Sequence, residues 1–198
     1  MIYLDALTQA DCEQVRKWRN EDISGARTPY LLTELQQANF YRDIVSNPDS
    51  GHRYWAVRLP SEYPEGDPRY ISELVGIAGL TNIEWENGRA EIALMIGDEY
   101  RDQGHGKEAL NEVLKWGFER MRLMSIYGNV YECNKDIEFW YKVIERYKMI
   151  IRHIPNGKFW DGKYSDMLFF QADKYEWDRL QKEAINGLAR NDGKQVSR

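Results

Sequence analysis

The sequence predicts an α/β fold of the α+β kind, with a central mixed, mostly antiparallel, twisted sheet flanked by helices. A short apolar run at residues 92–96 leads through a glycine-rich turn into an amphipathic helix that ends near Met121. Asn87-Gly88 separates two strand-like runs, as in a tight hairpin. Strand-like and helical segments alternate along the rest of the chain, in an order that fits one layered domain.

The N-terminal part of the chain is predicted to hold one strand and two helices. The strand covers residues 2–7, and Thr8 caps a first helix that runs through Asn20. Residues 21–32 are irregular. A capping-box pattern then begins a second helix over residues 33–47, which stops before a proline.

Three strands are predicted to follow as an antiparallel meander. Residues 52–59 form the first, and a loop at residues 60–67 that is rich in turn-forming residues leads to the second, at residues 72–85. Because Asn87-Gly88 favours a tight turn, we expect residues 75–85 to pair with residues 89–97.

The C-terminal part is predicted to hold a strand at residues 125–133, an amphipathic helix at 134–147, and two strands at 149–154 and 164–171. The inward face of that helix is expected to carry Ile137, Trp140, Tyr141, Ile144 and Tyr147. Turns between the two last strands are predicted at residues 155–157 and 161–162. A capping box at residues 173–176 begins an added helix that includes Trp177, Leu180, Ala184 and Leu188.

Length and composition limit the class of protein. At 198 residues one domain is the default; we place it at residues 1–190, followed by a disordered tail at 191–198. A formal net charge of −5 argues against a nucleic-acid surface. No long apolar run or signal peptide is present, so we expect a cytoplasmic protein, either a monomer or a homodimer. Cys12 and Cys133 fit neither a disulfide framework nor a zinc site, and we expect no metal.

The turn after residues 92–96 has the composition of an anion-binding site. Gly104 and Gly106 let an anion approach the backbone without meeting a Cβ atom, while the following helix supplies free N–H groups and the positive end of its dipole. Arg101 and Lys107 add two positive charges, so a phosphate or pyrophosphate fits. His105 has no second histidine or cysteine nearby, and we expect it to be an exposed loop residue. Neither a P-loop nor a dinucleotide-binding glycine pattern is present.

The pattern that does fit is [RQ]-x-x-G-x-[GA], in which Arg101, Gly104 and Gly106 fill the fixed positions. This segment resembles the acetyl-CoA loop of the GNAT superfamily of N-acetyltransferases, and the order of elements is similar to the GNAT order across nearly the whole chain. The resemblance implies a GNAT-like acyl-CoA N-acyltransferase fold with acetyl-CoA as co-substrate. It places acetyl-CoA contacts at Leu94, Met95, Ile96, Arg101, Asp102, Gln103, Gly104, His105, Gly106, Lys107 and Asn134.

Two later segments extend the resemblance. Asn134, with Tyr141 seven residues on, matches the family pattern N-x-x-[AI]-x-x-[LFW]-Y, and residues 162–166 look like the G-x-Y-x-D segment of the ribosomal-protein N-terminal acetyltransferase branch. The resemblance implies that Asn134 bonds the pantetheine arm and that Tyr141 protonates the leaving thiolate. One departure is that residues 145–147 read Glu-Arg-Tyr, where the family often has Gly-Phe.

Acetyl transfer requires a neutral amine. An alkyl amine of pKa about 10.4 costs roughly 4–5 kcal/mol to reach its neutral form at pH 7, and an α-amine only about 1 kcal/mol. Glu91 is the candidate base, because the resemblance places a glutamate at the start of this strand; Glu84 and Glu86 are weaker alternatives. The resemblance also implies that backbone N–H groups near residues 94–96 polarise the thioester carbonyl. No cysteine or serine lies in a nucleophile motif, so direct transfer is expected.

The GNAT layout places the acceptor under the first two helices and their connecting loop, which makes Arg19, Arg27 and Tyr30 candidate substrate contacts. The branch resemblance favours a protein N-terminal amine. Trp18-Arg19-Asn20 also looks like enzymes that acetylate amino sugars on nucleotides, in which case Arg19 and Arg27 would contact phosphates. Polyamines and aminoglycosides stay open as acceptors.

Two hypotheses of other classes also fit the sequence. The missing Gly-Phe, and the alternative that Glu91 only pairs with Arg89, favour a non-catalytic acyl-CoA-binding or partner-binding module on the same fold. The glycine-rich loop alone would fit a nucleotide-phosphate binder unrelated to CoA.

Overall fold

The structure, a computed structural model, describes residues 1–63, 67 and 72–195, with the side chains of the last helix described as far as Asn186. The strands are β1 (Tyr3–Ala6), β2 (Arg53–Leu59), β3 (Glu73–Glu84), β4 (Arg89–Ile96), β5 (Ser125–Tyr131), β6 (Ile150–Trp160) and β7 (Lys163–Asp173). The helices are α1 (Gln9–Glu21), α2 (Glu34–Phe40), α3 (His105–Lys115), α4 (Ile137–Arg146) and α5 (Lys174–Gln195).

The strands of the described chain form one sheet in the order β1-β2-β3-β4-β5-β7-β6. Neighbouring strands are antiparallel except β4 and β5, which are parallel. The predicted fold class is therefore confirmed. The meander is confirmed as well, because Glu84 pairs with Arg89 on either side of the turn that contains Asn87-Gly88. None of the helices described is long and apolar enough to cross a membrane.

The predicted cap of α1 by Thr8 and the predicted capping box of α2 are both confirmed, and the cap of α1 is itself a capping box. The Thr8 hydroxyl accepts from the Asp11 N–H at 3.1 Å, and the Asp11 carboxylate accepts from the Thr8 N–H at 2.8 Å. Arg58 of β2 donates to the same carboxylate at 2.7 Å, which ties the start of α1 to the sheet. Thr33 and Gln36 form the second box, and α2 continues through a π-helical turn to Val45.

The two faces of the sheet are covered by different helices. On one face, α1 packs Val15 and Trp18 against Ile77 of β3. On the other face, α3 and the π-helical turn after it bury Leu110 and Phe118 in a larger core that also includes residues of α4 and α5. Helices on both faces leave the middle of the sheet dry.

The C-terminal strands differ from the prediction. Residues 155–157 were expected to form a turn, but β6 runs through them as one strand with an irregular register between Ile154 and Lys158. The Asn156 N–H donates to the Asp166 carboxylate at 2.9 Å, so a partner on β7 holds the bulge in the sheet. The turn predicted at Asp161-Gly162 is confirmed by positive φ values of 46° and 76°.

Helix α4 begins at Ile137 rather than at the predicted residue 134, because residues 132–136 form the connecting turns. Its inward face carries Trp140, Val143, Ile144 and Tyr147, which have the i, i+3, i+4, i+7 spacing. The expected inward position of Tyr141 is wrong, since Tyr141 is exposed. Val143 takes the place in the core that the prediction gives to Tyr141.

The remaining predictions concern segments near the described limits. Helix α5 continues to Gln195 through the first part of the predicted tail at 191–198, and residues 196–198 lie outside the described chain. The side chain of Leu188 and residues 64–66 of the predicted loop at 60–67 also lie outside it.

Candidate active site

The sheet opens between its two parallel strands. β4 and β5 pair only over Arg89–Ser125, Ala90–Ile126 and Glu91–Tyr127. Beyond that point β4 stays with β3 and β5 stays with β7, so the two strands diverge. The result is a wedge-shaped gap with Glu91 at its narrow end.

The free edge of β4 faces this gap. The Gly97 N–H donates to the Val75 carbonyl at 3.0 Å, and the direction of backbone groups alternates along an antiparallel strand. Ile92, Leu94 and Ile96 therefore direct their N–H and C=O groups away from β3 and into the gap. This confirms the expectation that the strand separates from its neighbour near residues 94–96.

A cleft of about 650 Å³ follows the gap. Residues from the α1–α2 loop, β4, the glycine-rich loop, β5 and α4 surround it. Of the predicted site residues, it is lined by Arg19, Arg27, Glu91, Leu94, Met95, Ile96, Arg101, Asp102, Gly104, Gly106, Lys107 and Asn134. Gln103, His105, Tyr30 and Tyr141 are not among its lining residues.

The glycine-rich loop has the geometry of an anion site. Gly104 precedes α3 with φ 87°, a left-handed conformation that favours glycine, and its absent Cβ would meet no atom within 4 Å. The N–H groups of His105 and Gly106 have no backbone carbonyl partner among the described residues, whereas that of Lys107 donates to the Gly104 carbonyl at 3.1 Å. Lys107 lines the cleft beside them and has no ion pair with any described carboxylate. The loop therefore fits an anion in the way that its composition predicts.

The guanidinium of Arg101 is bound by other groups of the protein and is not free to bind an anion. Its guanidinium forms 3.0 Å ion pairs with both Asp98 and Asp136, and its Nε donates to the Ile96 carbonyl at 3.3 Å. Burial raises the pKa of Asp136, while Arg101 opposes that effect. Arg101 thus fixes the end of β4 to the turn before α4.

His105 and Gln103 are placed differently from the prediction. His105 is buried rather than exposed, because it begins α3 on the side that packs into the protein, and neither ring nitrogen has a hydrogen-bond partner among the described residues. Gln103 is exposed and donates to the Glu99 carbonyl at 3.1 Å. Neither side chain reaches the cleft.

Glu91 is the carboxylate that the cleft contains at its narrow end. It is 3% exposed, and its oxygens accept from Asn82 at 2.9 Å and from Asn129 at 3.2 Å. It also forms an ion pair with Arg27, not with Arg89 as the alternative expected. Arg89 pairs instead with Glu84 at 3.7 Å. Neither Glu84 nor Glu86 lines the cleft.

The α1–α2 loop is anchored from the far side of the cleft by Lys158 of β6. Its buried ammonium donates to the carbonyls of Ile23, Ser24 and Ala26, at 3.2, 2.5 and 2.7 Å, and burial lowers its pKa. Lys135 adds a 3.2 Å ion pair with Asp22. Sequence reasoning missed Lys158, Asn82 and Asn129, because no local pattern marks a side chain that acts across the sheet.

Met95 packs with the core beneath α1, whereas Leu94 and Ile96 pack with the core beneath α3. Because side chains alternate along a strand, Glu91 shares the α1 side with Met95. The glycine-rich loop joins the cleft from the other end of β4. One cleft therefore connects an anion site to a buried carboxylate along the edge of β4 that faces the gap.

Comparison with known proteins agrees with this geometry. Residues 2–139 match the acetyltransferase (GNAT) domain family, so the chain belongs to the GNAT acetyltransferase family. The expected ribosomal-protein branch is not singled out by these comparisons.

The individual relatives are only distantly similar to this chain in sequence. The uncharacterized N-acetyltransferase p20 of Bacillus licheniformis is 34% identical over 106 residues, which span 53% of this chain and 58% of that protein. The chain thus matches a little over half the length of this curated relative.

Among solved structures, the spermidine N-acetyltransferase of Vibrio cholerae in complex with CoA and spermine has a TM-score of 0.72, with 20% identity over 89% of this chain and 97% of that chain. Mutant forms of the spermidine/spermine N-acetyltransferase SpeG from the same organism have a TM-score of 0.71, with 19% identity over 90% of this chain and 96% of that chain. At this identity the likeness establishes the fold.

We expect Lys158→Met to raise the KM for the acceptor about 10-fold and to leave the KM for acetyl-CoA unchanged. Methionine keeps the length of the side chain but cannot donate to the three carbonyls, so the α1–α2 loop loses its anchor. Steady-state kinetics with each substrate varied in turn measures both constants. Lys163→Met, at an exposed position on β7, is the matched control. Equal shifts in the two constants would contradict the anchoring role.

Proposed function

We propose that the chain is an acetyl-CoA-dependent N-acetyltransferase that moves an acetyl group directly to a primary amine of a small molecule or peptide. The observation that carries the proposal is the gap between β4 and β5, which joins the glycine-rich loop to Glu91 in one cleft. Membership of the GNAT family, whose members use acetyl-CoA, supports the same assignment.

The residues present fit acetyl-CoA. The N–H groups at the start of α3, with Lys107, would hold the diphosphate. The backbone groups of Leu94, with the Ile92 carbonyl and the Ile96 N–H, would pair with the amide groups of the pantetheine arm, and the N–H groups would polarise the thioester carbonyl. Asn134 lies at the β5–α4 turn on the same cleft wall, although its Oδ1 already accepts from the Asp136 N–H at 2.8 Å. When bound, the thioester supplies the acetyl group.

Glu91 would act on the acceptor. Its carboxylate would accept the proton of the ammonium group, directly or through one water, so that the neutral amine attacks the carbonyl. Asn82 and Asn129 would hold the carboxylate in place, and Arg27 must leave it before an ammonium group can bind. Tyr141 is given no role, because it is exposed outside the cleft.

We expect the protein to release CoA thiol from acetyl-CoA when an amine acceptor is present, with a matching mass gain on the acceptor. A panel of small amines and peptide N-termini, read by thiol release and mass spectrometry, tests this. Absence of turnover with every amine, combined with tight binding of CoA, would favour the non-catalytic module. Thermal stabilisation by ATP and not by CoA would favour the unrelated nucleotide binder.

A further inference from the structure

The acceptor end of the cleft contains a half-buried guanidinium that has no ion pair with any described carboxylate. Arg19 of α1 lines the cleft, and its Nη2 donates to the Thr28 hydroxyl. Its Nη1 is buried and has no hydrogen-bond partner among the described residues. No described carboxylate forms an ion pair with Arg19, and burial lowers the pKa of its guanidinium. A half-buried guanidinium with one unpartnered donor is less well solvated than a free one, so a ligand that brings an anion to it would be favoured.

The acidic side chains of the cleft do not neutralise Arg19. Asp22 and Asp136 line the cleft, but Asp22 pairs with Lys135 and Asp136 pairs with Arg101. Glu91 pairs with Arg27. Asp102 belongs to the glycine-rich loop at the other end of β4. The acceptor end therefore holds one guanidinium in excess of its carboxylates.

We infer that the acceptor carries an anionic group, a carboxylate or a phosphate, in addition to its amine, and that the guanidinium of Arg19, which lines the cleft, binds this group. This rests on the proposed function and names the substrate class of the same site. A guanidinium is planar, and its N–H donors bind carboxylate and phosphate oxygens well. The Thr28 hydroxyl fixes the guanidinium from its other nitrogen, so little order is lost on binding.

The anionic group of the acceptor would also draw Arg27 away from Glu91. The Arg27 side chain is 58% exposed and that of Glu91 only 4%, so Arg27 is the partner that can leave. Arg27 and Arg19 line the same cleft, so an anion bound at Arg19 would attract Arg27 as well. An incoming acceptor would exchange partners: its ammonium group would bind Glu91 while its anion attracts Arg27.

This exchange disfavours polyamines as acceptors. A polyamine brings further positive charges to a wall that already holds Arg19 and Arg27, and it offers nothing to draw Arg27 from Glu91. The similar solved structures are named as spermidine or spermine acetyltransferases, and we infer that this chain differs from them in acceptor charge.

The test compares matched acceptors that differ in the anion alone. The carboxylate pair is 4-aminobutyrate and butylamine. The phosphate pair is glucosamine 6-phosphate and glucosamine. A nucleotide-linked amino sugar and spermidine are also assayed. We expect kcat/KM to be about 10- to 100-fold higher for the anionic member of at least one pair. The pair with the larger ratio of kcat/KM values, anionic member over neutral member, shows whether the anion is a carboxylate or a phosphate.

Arg19→Met is expected to bring that ratio close to one while the KM for acetyl-CoA stays unchanged. Lys17→Met, at an exposed position on the same helix, is the matched control and should keep the ratio. Equal loss for both members of a pair, or preference of the unaltered protein for spermidine, would overturn the inference.

Measurements of acceptor binding test this inference separately from the proposed function. If no amine is acetylated, the proposed function fails, and calorimetric titration of the same compounds with CoA present still tests the anion site. Tighter binding of anionic members to the unaltered protein than to Arg19→Met would support the site. Equal affinities for the two proteins would overturn it.

Discussion

Replacing Glu91 with glutamine is expected to lower kcat by about 10²- to 10³-fold without changing the affinity for CoA. The amide has nearly the shape of the carboxylate but cannot accept the ammonium proton. Because Glu91 is 3% exposed and held by Asn82 and Asn129, solvent cannot easily replace it. Initial rates at saturating acetyl-CoA and acceptor measure the loss.

The pH dependence of that variant provides a second readout. As pH rises toward the pKa of the amine, the fraction of neutral acceptor grows without help from the enzyme. The Glu91→Gln variant should therefore recover activity with rising pH more steeply than the unaltered protein. Glu84→Gln, which lies outside the cleft, is the matched control and should keep full activity. A Glu91→Gln variant with normal kcat at neutral pH would rule out Glu91 as the base.

Replacing Lys107 with glutamate is expected to weaken CoA binding about 10- to 100-fold, the range for the loss of one hydrogen bond to a charged group. Lys107 lines the cleft in the first turn of α3, next to the N–H groups assigned to the diphosphate. The substitution removes a cation and adds an anion at that place. Calorimetric titration with CoA measures the change.

The control for this prediction lies on the same helix. Lys115→Glu makes the same change in net charge at an exposed position at the far end of α3 and should leave CoA affinity unchanged. The difference between the variants should shrink at high salt, because exposed charges are screened. Equal weakening by both variants would mean that overall charge, and not a local contact, governs binding.

The sequence predicted those parts of the site that local patterns encode. Gly104 and Gly106 before an amphipathic helix mark the anion loop. An anion site needs small residues and a helix N-terminus, and both features are encoded within a few residues. Asn87-Gly88 fixed the hairpin and with it the register that brings Glu91 to the narrow end of the gap. Most loop residues predicted to contact acetyl-CoA accordingly line the cleft.

The remaining features depend on contacts across the fold. Arg27 and Glu91 are far apart in sequence, and no pattern shows that they pair. Lys158 directly follows the bulge at residues 155–157, which the sequence predicts as a turn, and no local pattern indicates its contact with the α1–α2 loop. Tyr141 fitted a family pattern, but the tighter apolar stripe through Trp140 turned the helix so that Tyr141 is exposed.

A crystal structure of the protein with CoA tests the central claim most directly. The account predicts a pantetheine arm in the gap between β4 and β5, in contact with the backbone groups of Ile92, Leu94 and Ile96, and a diphosphate at the first N–H groups of α3. CoA bound at another place on the protein, with the gap and the glycine-rich loop free, would contradict it.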